Sequence, residues 1–196
     1  MSRLSCVVPA AGFSRRSPAG NKLLQTLPDG RSVLATLVGT LLDSACCQEL
    51  VVVTGHQAEA ITAALAGLPV HLVHAANHGE GMGSSLAAGL RACAPEAEGF
   101  LLCPGDLPWL RADTVSAIAS AFEADPLRRH VIPSNRGVRG HPVLLAARLR
   151  RELEALHGET GARELLLREE SAGGVHWLPV LDPGIHRDTD KGLAES

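Results

Sequence analysis

The chain has 196 residues, 45% hydrophobic and 20% charged, which supports a packed core and excludes a disordered chain. A formal net charge of −3 and only 3% aromatic residues exclude a surface built to grip nucleic acid. Five cysteines without C-x-x-C spacing fit reduced thiols, and no apolar run is long enough for a signal peptide or membrane span. The expectation is one cytoplasmic domain over residues 1–196, with no membrane partner.

Short apolar runs alternate with longer amphipathic ones, the pattern of an α/β protein with a mostly parallel sheet. Leu4–Val8 reads as a buried first strand, and 10–22 as a loop of small residues and cations. Ser32–Asp43 has helical apolar spacing, Glu49–Thr54 reads as a strand, Ala58–Ala66 as a helix and Val70–His74 as a third strand. The glycine-rich turn at 79–83 leads into a helix through Arg91, with Ser84 as its cap. Gly99–Cys103 is a fourth strand, stopped by the turn 104–108. Asp113–Phe122 follows as a helix with Asp113 as cap. Strands are expected at His130–Pro133, Pro142–Ala146 and Gly174–Leu178, with short helices at Arg148–Leu156 and Ala162–Arg168 and a polar tail from Asp182.

The loops 10–22, 77–83 and 104–108 each follow a strand. In a parallel sheet all three lie on the carboxyl edge, where open α/β sheets bind ligands. In the first loop, Ala10, Ala11 and Gly12 let backbone amides approach an anion, while Arg16 and Lys22 supply charge for phosphates. Asp106, set between Pro104 and Pro108, is placed to hold a Mg²⁺ that also touches substrate phosphates. The turn His78–Gly83, which includes Gly81, with Ser84 and Ser85, fits a base or ribose. Gly140-His141-Pro142 and the loop ending in Arg163 are candidates for the acceptor side, and Asp188 for a second metal carboxylate. A Walker loop is excluded because Leu23 follows Lys22. No G-x-G-x-x-G opens the first helix, and no G-x-S-x-G or H-E-x-x-H occurs.

Read together, these blocks resemble the molybdenum cofactor cytidylyltransferases, within the MobA-like nucleotidyltransferase superfamily. The stretch from Val8 through Ala10, Ala11, Gly12, Ser14 and Arg16 to Lys22-Leu23 is similar to the family's L-A-A-G-x-S-x-R-M-G…K-L. Gly81 to Leu90 resembles G-M-x-x-S-L-x-x-G-L, and Gly105-Asp106-Leu107-Pro108 resembles G-D-x-P. Arg139–Leu144 and Gly158–Arg163 resemble two further blocks of the cytidylyl branch. Ser17 stands where the family carries Met. In the last block, aligned on Asp188-Thr189, His186 stands where the family's D-[IV]-D-T-P-E-D has its first Asp.

The resemblance implies a three-layer Rossmann-like fold, Mg²⁺ as cofactor, and transfer of CMP from CTP to a molybdopterin-type acceptor with release of pyrophosphate. A molybdoenzyme would receive the product. Ala11 is similar to the CTP-using branch, whereas the GTP-using branch typically carries Gly there. The implied roles are catalysis by Lys22, Arg16 and Asp106; nucleotide binding by Ala10, Ala11, Gly12, Ser14, Lys22, Gly81, Ser84 and Ser85; and metal binding by Asp106 and Asp188. Gly140, His141, Pro142 and Arg163 would face the acceptor. The alternatives are another phosphorylated acceptor, GTP as donor, or a non-catalytic nucleotide-binding maturation factor.

Overall fold

The computed structural model describes residues 2–12 and 20–189. Among them lie β1 (Leu4–Pro9), α1 (Val33–Asp43), β2 (Glu49–Thr54), α2 (Ala58–Ala64), β3 (His71–His74), α3 (Met82–Arg91) and β4 (Gly99–Leu102). Then follow α4 (Ala112–Ala124), β5 (His130–Asn135), β6 (Val138–Arg139), β7 (Val143–Ala146), α5 (Arg150–Glu154), α6 (Arg163–Ser171) and β8 (Val175–Pro179).

β1 is central, parallel to β2 on one side and to β4 on the other, with β3 parallel beyond β2. Its run, fully buried from Leu4 to Val8 and apolar except for Ser5, is what a strand covered on both faces needs. Successive side chains leave opposite faces of a strand. Cys6 and Val8 join Leu34, Leu37, Ile61, Val115 and Phe122 from α1, α2 and α4. Val7 joins Leu90, Leu153 and Leu166 from α3, α5 and α6. The molecule is therefore a three-layer α/β fold with helices on both faces of the sheet.

Strand order is β3-β2-β1-β4-β7-β5-β6, with β8 on β5. β7 runs antiparallel to both β4 and β5, while β8 is parallel to β5. The reversal starts at the β5–β6 hairpin. Its turn residues Arg136 and Gly137 both have positive φ, 51° and 78°, as a two-residue hairpin turn requires. So the start of β7, rather than its end, lies on the carboxyl edge with the ends of β1, β3 and β4.

Two expected caps are corrected. α3 begins at Met82, because Gly81 with φ 129° already supplies the non-helical entry, so Ser84 lies inside the helix. α4 begins at Ala112 behind Arg111, which leaves Asp113 in the first turn, paired with Arg111 at 2.5 Å. Ser32 does cap α1, its hydroxyl accepting from the Ala35 amide at 3.1 Å. Among the described residues no helix is long and apolar enough to cross a membrane.

Candidate functional site

The rim starts where β1 ends. Ala10 donates its amide to Val53 at 2.8 Å, and Ala11 accepts from the His56 amide at 3.2 Å, so the first loop leaves the sheet stapled to the end of β2. Ala10 and Ala11 are buried and Gly12 is exposed. Ser14 and Arg16 lie outside the described residues. Asn21 accepts through its carboxamide oxygen from the Leu23 amide at 3.1 Å and starts a short helical turn, Lys22–Leu24. Leu23 sinks into the core beside Leu34, which leaves Lys22 at the rim.

Across from it, β4 ends and Cys103 donates its amide to Val7 at 3.0 Å. Leu107 and Leu110 anchor the following turn in the core, and Asp106 between the buried positions stays partly exposed. The Lys22 ammonium stands 2.6 Å from Asp106 Oδ2, with only 20% and 16% of the two side chains exposed. Two loops 84 positions apart in sequence thus meet in an ion pair largely withdrawn from water.

The antiparallel β7 brings a third loop to the same place. Val143 is paired with Leu102, so Gly140-His141-Pro142 runs in beside the turn that carries Asp106. Gly140 lies against Ile185, where a Cβ would stand 2.5 Å from the Ile185 side chain, and the His141 amide donates to Ile185 O at 2.9 Å. The His141 ring reaches solvent but is crowded by protein. That desolvation first, then the Arg139 guanidinium, holds its pKa below the ordinary value against the opposing pull of Asp106. The ring is therefore neutral at pH 7.

Residues 182–189 form the fourth wall. Asp182, 2% exposed, accepts from the Arg111 amide at 3.1 Å, the Thr114 hydroxyl at 2.8 Å and the Gly184 amide at 2.8 Å. The Arg187 guanidinium lies 4.1 Å over the Trp109 ring. So fixed, the segment presents His186 Nδ1, Asp188 Oδ1 and Thr189 Oγ1 as buried atoms without a hydrogen-bond partner. Buried polar atoms are ordinarily satisfied, so these three are candidates for contact with a ligand. Asp182 was not anticipated from sequence. Its signal was Asp182-Pro183-Gly184, a turn tripeptide whose Asp bonds its own backbone.

The loop before α3 plays a different part. The Ser84 hydroxyl donates to Glu80 Oε2 at 3.1 Å and accepts from the Gly158 amide at 3.1 Å, while Ser85 donates to Gly81 O at 3.4 Å. Both hydroxyls are thus engaged within the protein. The Gly83 amide donates to Gly158 O at 2.9 Å, and a Cβ on Gly83 would collide with Thr160 O, so glycine is what lets the 157–160 loop lie on the end of α3. Arg163 opens α6 and is exposed.

Among the described residues no three His, Cys, Asp or Glu side chains converge on a point where a metal ion could sit. A dication of the Mg²⁺ type needs only one or two carboxylates besides substrate phosphates. The rim carboxylate of Asp106 fits that demand, and the unpartnered Asp188 Oδ1 is a second candidate oxygen.

Comparison with known proteins adds a family. The sequence pattern of the MobA-like NTP transferase domain matches residues 6–172. The chain is 25% identical over 153 residues to the molybdenum cofactor cytidylyltransferase of Escherichia coli, covering 74% of this chain and 71% of that protein. It is 32% identical over 166 residues to nicotine blue oxidoreductase of Paenarthrobacter nicotinovorans, covering 82% and 79%. A nucleotidyl transferase structure from Methanothermobacter superposes with a TM-score of 0.77 at 29% identity, covering 93% of this chain and 89% of that one. A Mycobacterium tuberculosis protein solved in complex with manganese superposes with a TM-score of 0.72 at 25% identity, covering 97% and 96%.

Proposed function

Because the chain belongs to the MobA-like NTP transferase domain family, and so to the nucleotidyltransferases that act on nucleoside triphosphates, we propose that it transfers CMP from CTP to a molybdopterin-type cofactor. The observation that supports this reading is the 2.6 Å meeting of Lys22 and Asp106 on the carboxyl edge, beside the start of β7.

In this reading an acceptor phosphate oxygen attacks the α-phosphorus of CTP in line, and pyrophosphate leaves. Both reactants are anionic, so positioning and charge neutralisation carry the catalysis. Lys22 and Arg16 stabilise charge on the triphosphate and on the departing pyrophosphate. Asp106 and Asp188 hold a dication, Mg²⁺ by resemblance, with support from the manganese complex of the mycobacterial relative. When bound, that ion neutralises phosphate charge. The backbone of Ala10, Ala11 and Gly12, with Ser14, frames the phosphates. Gly81, Ser84 and Ser85 shape the nucleotide side through the packed end of α3. Gly140, His141, Pro142 and Arg163 face the acceptor, which is handed on to a molybdoenzyme. The acceptor phosphate is already ionised at pH 7, so the neutral His141 orients rather than deprotonates.

The test is pyrophosphate release with each of the four nucleoside triphosphates, Mg²⁺, and the acceptor present or withheld. Release with CTP that depends on a molybdopterin acceptor supports the reading; release only with GTP or with a sugar phosphate replaces the substrates. Binding without release makes the protein a nucleotide-binding maturation factor. The identity to nicotine blue oxidoreductase favours a second reading, reduction of an organic acceptor. Oxidation of a nicotinamide cofactor without pyrophosphate release would establish it.

A further inference from the structure

We infer that β3 is the pairing edge of a symmetric dimer, in which two copies of this chain join their sheets by antiparallel β3–β3 hydrogen bonds across a twofold axis at Val73. The inference is independent of which substrates the candidate site takes.

The backbone carries it first. β3 ends the sheet order, and among the described residues no strand lies beyond it. The register Val53↔Val73 and Thr54↔His74, with the Ala75 amide donating to Thr54 O at 2.9 Å, turns the backbone of His71, Val73 and Ala75 toward β2. Leu72 and His74 therefore present their N–H and C=O groups outward. At the other end of the sheet the Val180 amide donates to Ser134 O, which leaves Pro179 among the outward residues of β8, and proline has no N–H to give. That edge is blunted, whereas β3 carries neither proline nor lysine.

Self-complementarity names the occupant. Antiparallel strands exchange bonds between outward residues, so the register that engages both of them in both copies sets Leu72 opposite His74 of the partner copy, with Val73 opposite itself. The side chains agree. α2 packs on β2 and leaves a cleft of about 570 Å³ beside β3, lined by Thr54, Ala58, Glu59, Thr62, Leu72 and His74. Residues directly opposite in an antiparallel pair share a face. His74 of each copy thus arrives beside Leu72 at the mouth of the other copy's cleft, where its imidazole N–H faces the Glu59 carboxylate. The His74 ring already rests edge-on against His78, with 5.9 Å between centroids, so it is held in place before the partner arrives.

The experiment is sedimentation equilibrium of the full chain, joined to hydrogen exchange of single amides read by NMR. The wild type is expected at twice the chain mass. Its Leu72 and His74 amides, which point away from β2, should exchange slowly in the dimer and faster on dilution. His74→Pro removes an outward N–H while leaving the ladder to β2 intact, and Leu72→Lys sets a charge in the seam. Each should weaken the dimer roughly tenfold or more, the scale of the hydrogen bonds lost from both copies. Trp177→Lys, at an outward position of β8, should leave the dimer as it is. Circular dichroism melts verify that each variant folds; if His74→Pro does not, Leu72→Lys and the wild-type amides decide. A wild-type monomer at every concentration, a dimer whose Leu72 and His74 amides exchange freely, or a dimer that withstands the β3 substitutions overturns the inference.

Discussion

Asp106 is one carboxylate on a turn whose neighbours are spoken for. Leu107 and Leu110 face the core and Gly105 packs on Leu23 and Leu34. Substitution therefore tests chemistry more than folding. Asp106→Asn should abolish dication-dependent pyrophosphate release while costing about 1–3 kcal/mol of stability, the scale of a charged hydrogen bond whose partner is left unpaired; enzyme assay and denaturant melts separate the two. Lys22→Ala should lower turnover on the order of 10²-fold if its charge acts in the transition state. An unchanged rate would reduce it to a partner of Asp106 alone. Ser84 differs in kind, because its hydroxyl bonds Glu80 and the Gly158 amide. Ser84→Ala should leave that amide short of an acceptor and destabilise by about 1–3 kcal/mol, read by urea denaturation.

Among the elements, α3 and the loop over its end form one unit. Gly83→Ala must push Thr160 away, which should cost about 1–3 kcal/mol of stability and raise KM before it lowers kcat. A second unit is His130, fully buried between β7 and α6. Its Nδ1 accepts from the Ala146 amide at 3.0 Å, and Nε2 faces Glu169 Oε2 at 3.1 Å. Burial, then the Arg148 charge, holds its pKa below the ordinary value. As pH falls through about 6.5 the unfolded histidine takes up a proton that the folded one refuses, so stability declines until the folded pKa is passed. Urea midpoints measured from pH 7 to 5 should fall for the wild type and fall less for His130→Gln. Neither unit was legible beforehand: Ser84 reads as a cap and His130 as an ordinary strand residue until distant partners are known.

At the scale of the whole molecule, the site exists because four separate segments return to one edge. The last of them hangs on Asp182, whose buried carboxylate takes two donors from the start of α4 and one from its own turn. Asp182→Ala should cost about 1–3 kcal/mol by orphaning those donors, and should also weaken Mn²⁺ binding in the presence of nucleotide by loosening His186–Thr189. Wild-type Mn²⁺ affinity in a folded variant would separate that segment from the metal. The apolar run Leu4–Val8, the helical spacing of α1 and the turn around Asp106 could all be read in the sequence, because periodicity and turn chemistry are local. From them came the α/β class, the parallel core of the sheet, and the expectation that Lys22 and Asp106 share an edge. The direction of β7, the engagement of the Ser84 hydroxyl, and the meeting of His141 with Ile185 were decided only by the tertiary structure. Each depends on which distant backbone supplies a hydrogen-bond partner, and that partner is fixed only when the sheet and its two helical layers close together.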